Sequence, residues 1–175
     1  MRLKIDESSM LNEDYGIPKK TYEYILKKFM YPNYNNVPSG TIYHNTHLES
    51  VDSIAHKGLL ISSAKQLEYD GNMTWATTVP NQKGYGGCTI AFTLDGLDNK
   101  DYEMVNDSEY CIYYDIPTKN FIFIDLPVSG NAGGGIYRLS DIPKLIDKFG
   151  LDKVKNVISK SKYQYIPIDD ILPYL

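Results

Sequence analysis

Apolar positions along the chain recur first at helical spacing and then at strand spacing. Tyr22, Ile25, Leu26 and Phe29 share one helix face, so the spacing predicts a helix over 19–30. Tyr31-Pro32 stops it, and a Pro/Asn/Gly loop runs to Gly40. Thr41 to Tyr43 reads as a short strand running into His44. Leu48, Val51, Ile54 and Ala55 form the next helical stripe, with Gly58 placed as a left-handed C-terminal cap and an extended piece from Leu59 to Ile61. β-like runs follow at 73–78, 88–94, 109–114 and 120–126. The turn Pro117-Thr118-Lys119 makes the last two of these a hairpin. Residues 129–135 are glycine-rich but lack the Lys-Ser/Thr ending of a phosphate-binding loop, and read as a mobile surface loop. Ser140 is placed to cap a helix over 141–149 that Gly150 stops; a second helix covers 152–160 and a last strand 163–168. Residues 1–18 are polar and read as a loosely ordered lead-in.

Successive strands without regular helical crossovers argue against a doubly wound parallel sheet. They fit an α+β fold with a largely antiparallel sheet. A chain of 175 residues is one domain's worth of core. Residues 1–40 would be an N-terminal extension with one helix, 41–126 the central portion, and 127–175 helices and the last strand.

Composition changes this picture little. Apolar residues make up 42% and charged residues 23%, which suits a globular protein. Sixteen tyrosines against five phenylalanines favour strands and stacking surfaces. The net charge of −4 supplies no global field for nucleic acid. Lys144, Lys148, Lys153, Lys155, Lys160 and Lys162 read as a solvated face. Cys88 and Cys111 lie in apolar runs without metal spacing and read as buried thiols. Neither a signal peptide nor a membrane span is legible, so a cytoplasmic location is expected, or a host cytosol after delivery.

Three segments carry candidate chemistry. In the first, His44 ends a strand just before a helix, where it can face a cleft or make a structural hydrogen bond. In the second, Trp75 and Tyr85 sit ten positions apart across a loop. Two aromatic faces so placed could sandwich a flat ring; alternatively Trp75 packs in the core and Tyr85 sits on the loop. In the third, Glu109 opens an otherwise apolar strand, either as an exposed strand-entry residue or because chemistry needs a carboxylate there.

Together and in this order, the segments resemble the diphtheria-toxin and poly(ADP-ribose)-polymerase group of ADP-ribosyltransferases. Tyr43-His44-Asn45-Thr46, with Val51-Asp52-Ser53-Ile54 and Lys57-Gly58, is similar to that group's opening motif. Thr74-Trp75-Ala76-Thr77, with Tyr85 some ten residues later, resembles the second, and Ser108-Glu109-Tyr110-Cys111-Ile112 with Phe121-Ile122-Phe123-Ile124 the third. The resemblance spans roughly residues 41–126. It departs at Asn45, where the group has glycine, and at Trp75, where tyrosine is usual.

The resemblance implies a split, mixed or antiparallel sheet with flanking helices, and NAD as substrate with no metal. Glu109 would be catalytic, its anion stabilising the positive charge that builds on the ribose as the nicotinamide bond breaks. His44 would hold the adenosine ribose. Thr46 and the Asn45 backbone would hold the nicotinamide carboxamide, with Tyr43 beside them, and Trp75 and Tyr85 would clamp the ring. Asp107, two positions before Glu109, would orient the acceptor. The implied activity is mono-ADP-ribosyl transfer to a macromolecule, a protein or less often a nucleic acid, in a bacterial or phage effector, toxin or defence-inactivating protein. The alternatives are an NAD glycohydrolase and a catalytically inactive binding module. RNA 2′-phosphotransferases share the fold but depend on several arginines, and this chain has only Arg2 and Arg138.

Overall fold

The computed structural model describes residues 16–61, 73–80, 87–132 and 135–175. Its contacts divide the chain into two compact units, Asn33–Ile124 and Met1–Pro32 with Asp125–Leu175. The architecture is α+β with antiparallel sheets and flanking helices.

The first unit is built on a sheet. Its strands are β1 (Ile42–Thr46), β2 (Thr74–Thr77), β3 (Cys88–Phe92), β4 (Tyr102–Met104), β5 (Glu109–Ile112) and β6 (Phe121–Asp125), the last ending in the second unit. They are ordered β4-β5-β2-β1-β3-β6. Helix α2 (Leu48–Lys57) follows β1 directly and buries Val51 and Ala55, one turn apart. Helix α1 (Lys19–Lys28) belongs to the other unit. Every residue of β3 is buried, including the polar Thr89, so the strand is covered on both faces. Tyr43, Ala91 and Phe123 form a cluster against which Tyr34, Val37 and Ile122 pack. The Tyr34 ring meets Phe123 edge-on at 5.1 Å and Tyr43 at 5.6 Å, so the expected loop before β1 closes one side of the core.

Two expectations fail here. Strands β5 and β6 do not form a hairpin, because β5 lies between β4 and β2 while β6 lies beside β3. The stretch between them crosses to the end of α2 instead, where Leu59 and Ile116 exchange two backbone hydrogen bonds of 2.9 Å. Asn120 then donates to the Thr93 and Asp95 carbonyls and docks the start of β6 beside β3. Gly58 does end α2, but with φ 89° and ψ −176° rather than in the left-handed helical conformation. A side chain there would overlap the Ile116 carbonyl.

The second unit contains α1 (Lys19–Lys28), β7 (Pro127–Gly130), β8 (Ile136–Arg138), α3 (Ile142–Phe149), α4 (Leu151–Ser159), β9 (Tyr163–Gln164) and α5 (Ile168–Ile171). Its strands are ordered β8-β7-β9. The glycine-rich stretch is therefore the connection of a hairpin, with Ser129 and Gly130 in β7; residues 133–134 lie outside the described ones. Ser140 does not cap α3. Its hydroxyl and N–H donate to the fully buried Asp125 carboxylate at 2.6 and 3.1 Å, and a 3-10 turn over Leu139–Asp141 leads into the helix. The charge must be held by donors of this kind, since an unpaired buried carboxylate is costly. Tyr22 donates to Asp170, and Tyr31 to the Leu139 carbonyl at 2.7 Å, tying α1 to this unit. Burial, then the Asp125 and Asp141 charges, push the Tyr31 hydroxyl pKa upward. The expected strand over 163–168 is confined to Tyr163–Gln164, and Pro167 opens α5. No helix among the described residues is long and apolar enough to cross a membrane.

Candidate functional site

Strands of an antiparallel sheet turn their backbone N–H and C=O groups alternately toward the two neighbours. The Thr93 N–H donates to the Asn120 carbonyl, on the β6 side. Cys88, Ile90 and Phe92 therefore turn toward β1, and so do their partners Thr46, His44 and Ile42 toward β3. Tyr43 and Asn45 are left turning their backbone groups toward β2. From the other side, the Thr78 N–H donates to the Ser108 carbonyl at 2.9 Å, which turns Ala76 toward β5 and leaves Trp75 and Thr77 facing β1.

Tyr43 and Thr77 form a rung across β1 and β2. Beside this rung, His44 Nδ1 lies 2.7 Å from the Trp75 carbonyl oxygen. A carbonyl only accepts, so Nδ1 carries the proton and donates. Loss of hydration lowers the His44 pKa from its usual 6.5, against a smaller opposing effect of this hydrogen bond. The ring is therefore neutral at pH 7, with Nε2 as an acceptor.

The register also assigns side chains to faces. Glu109, Thr77, Tyr43 and Ala91 lie opposite one another in a row across β5, β2, β1 and β3. Directly opposed residues share a face, so Glu109 shares one with Trp75, Tyr43, Asn45 and Cys111. His44 and Thr46 belong to the other face, with Ala76 and Tyr110. The expected convergence of His44, Thr46, Trp75 and Glu109 is thus divided by strand alternation. The two sets adjoin across β1 and β2, where His44 Nδ1 meets the Trp75 carbonyl.

Individual residues differ in their freedom. Tyr43 is a core residue, 5% exposed, and burial raises its hydroxyl pKa. The Asn45 side chain is turned toward β3, where its Oδ1 accepts from the buried Thr89 hydroxyl at 2.7 Å. Thr46 is buried, while Trp75 and Glu109 are half-buried.

Glu109 sits where the β4–β5 turn closes. Its carbonyl accepts from the Val105 N–H at 2.9 Å, and its Oε2 accepts from Asn106 Nδ2 at 2.8 Å. Asn106 Oδ1 accepts in turn from the Ser108 N–H and hydroxyl. Asp107 is exposed in this turn, and its carboxylate takes no part in the network. Cys111 is 4% exposed, and its thiol pKa is raised chiefly by burial; a Tyr113 hydrogen bond opposes this, and the Glu103 and Glu109 charges add to it. Tyr113 donates to Glu103 at 2.9 Å, which pushes its own pKa to about 12.

Asn106 and Thr89 escape the sequence reading. An Asn-Asp-Ser turn before a strand is a legible signal for the first. Nothing marks the second, since its pairing with Asn45 is a matter of register. Tyr85 lies outside the described residues. No group of three or more potential metal ligands occurs among the described residues. Compared with protein-family models, curated proteins and solved structures, the chain has no match.

Proposed function

We propose that the chain is an NAD-dependent mono-ADP-ribosyltransferase acting on a protein. The observation that carries this reading is that the strands bearing the three motif segments are neighbours, in the order β5-β2-β1. Trp75 would supply an aromatic face for the nicotinamide ring. Neutral His44 offers Nε2 to a ribose hydroxyl, and Glu109 offers a carboxylate oxygen to another. These donor and acceptor types fit NAD.

In this reading Glu109 would stabilise the positive charge on the ribose as its bond to the nicotinamide nitrogen breaks and the electron pair leaves with nicotinamide. The acceptor's nucleophile then bonds to the same carbon and loses its proton. One observation favours a second reading, a binding module without catalysis: His44 and Glu109 belong to alternate faces of the sheet.

Incubation with NAD labelled in its adenosine half, alone and with a cell lysate, separates the readings. Transfer requires nicotinamide release and labelled protein, and Glu109→Gln should lower release about 100-fold or more with NAD binding retained. Release without labelled protein would identify a glycohydrolase. Full turnover in Glu109→Gln, or no release by the unaltered protein, overturns the assignment.

A further inference from the structure

We infer that Asn106 is a positioning residue that holds the Glu109 carboxylate in its working orientation, an inference that rests on Glu109 being the catalytic acid residue. The orientation of the Asn106 amide is decided by chemistry. Its Oδ1 lies 2.9 Å from the Ser108 backbone nitrogen, which can only donate. The Ser108 hydroxyl reaches the same oxygen at 3.2 Å. The opposite end of the amide is therefore Nδ2, and it donates to Glu109 Oε2 at 2.8 Å.

Glu109 is in this way held at two points by one turn. The Val105 N–H fixes its main chain through the carbonyl, and Asn106 fixes one carboxylate oxygen. Oε1 is left to accept from a substrate hydroxyl. The residue two positions before Glu109, Asp107, plays no part in this, so the supporting group lies three positions before.

Asn106→Asp is the cleanest perturbation. Aspartate keeps an oxygen for the Ser108 donors, and hence the turn, but replaces the donor facing Glu109 with a second acceptor. Nicotinamide release, NAD affinity by calorimetry and melting temperature would be measured for Asn106→Asp, Asn106→Ala, Glu109→Gln and Asn106→Ala combined with Glu109→Gln. Asn106→Ala should lower kcat about 10- to 100-fold with KM for NAD changed less than about 2-fold. Asn106→Asp should lower kcat further and move the acid limb of the pH–rate profile upward, as a like charge beside a carboxylate does. In the Glu109→Gln background, Asn106→Ala should change the residual rate less than about 2-fold.

Full kcat in both Asn106 variants, with turnover lost in Glu109→Gln, overturns this inference and leaves the functional reading standing. So does an equal loss from Asn106→Ala in both backgrounds, which would show that it does not act through Glu109. Absence of nicotinamide release by the unaltered protein removes the functional reading, and this inference with it.

Discussion

Replacing Gly58 with alanine tests how α2 is anchored to the chain that leads into β6. Gly58 has φ 89°, and a Cβ built there overlaps the Ile116 carbonyl oxygen and comes within 3.3 Å of Pro117 Cα. Gly40 is the matched control, since its φ is 84° and its Cβ would meet nothing within 4 Å. Both substitutions force an L-residue to positive φ, at about 1–2 kcal/mol each. Only Gly58→Ala also pushes Ile116 away from Leu59, endangering two backbone hydrogen bonds of 2.9 Å. At about 1 kcal/mol per bond, that adds about 2 kcal/mol. Gly58→Ala should thus destabilise by about 3–4 kcal/mol and Gly40→Ala by about 1–2 kcal/mol. For a chain of this size, each kcal/mol lowers the melting temperature by about 2–4 °C. Thermal unfolding followed by calorimetry should place Gly58→Ala about 4–8 °C below Gly40→Ala. Equal melting temperatures for the two variants would refute the close approach of Ile116 as the reason for this glycine.

Other expected outcomes follow from the same geometry. Because the folded His44 pKa lies below the unfolded value of 6.5, its contribution should be fully present above pH 6.5 and be lost as pH falls through the folded pKa; urea unfolding from pH 7.5 to 5 should show a shallower decline in His44→Gln. Phe123→Ala, at a fully buried position between Tyr34 and β1, should destabilise by about 3–5 kcal/mol in denaturant titration. Thr89→Val should cost about 1–2 kcal/mol through the lost bond to Asn45, as read by urea unfolding. The Cys111 thiol should resist alkylation in the folded protein at pH 7.5 and react on unfolding, as read by mass spectrometry.

Residues 19–28 and 48–57 are helical because apolar positions recur at helical spacing, and Cys88–Phe92 is a strand because a short, mostly apolar run is covered on both faces. These periodicities are local and legible. Strand β4 was hidden in an acidic, polar stretch, since three residues with Tyr102 and Met104 on one face are too few to register as alternation. The false hairpin between residues 109–114 and 120–126 came from a proper turn signal at Pro117, which here opens a 3-10 turn on a crossing connection instead. A turn residue reports a change of chain direction and not which strand lies next to it.

The same division runs through the candidate site. By itself the amino-acid order determined where helices α1 and α2 lie and that a glutamate begins a strand, but it set His44 at a strand end, whereas β1 runs on to Thr46. Which side of the sheet each side chain takes was decided by strand pairing alone, because side chains alternate every residue and a rung between β1 and β2 sets the phase for both. Pairing therefore put Glu109 in phase with Trp75 and Asn45 and out of phase with His44. It also brought the His44 ring to the Trp75 carbonyl across β1 and β2. Contacts between strands that are distant in the chain carry no local signature, since their free energy exists only once the strands have met.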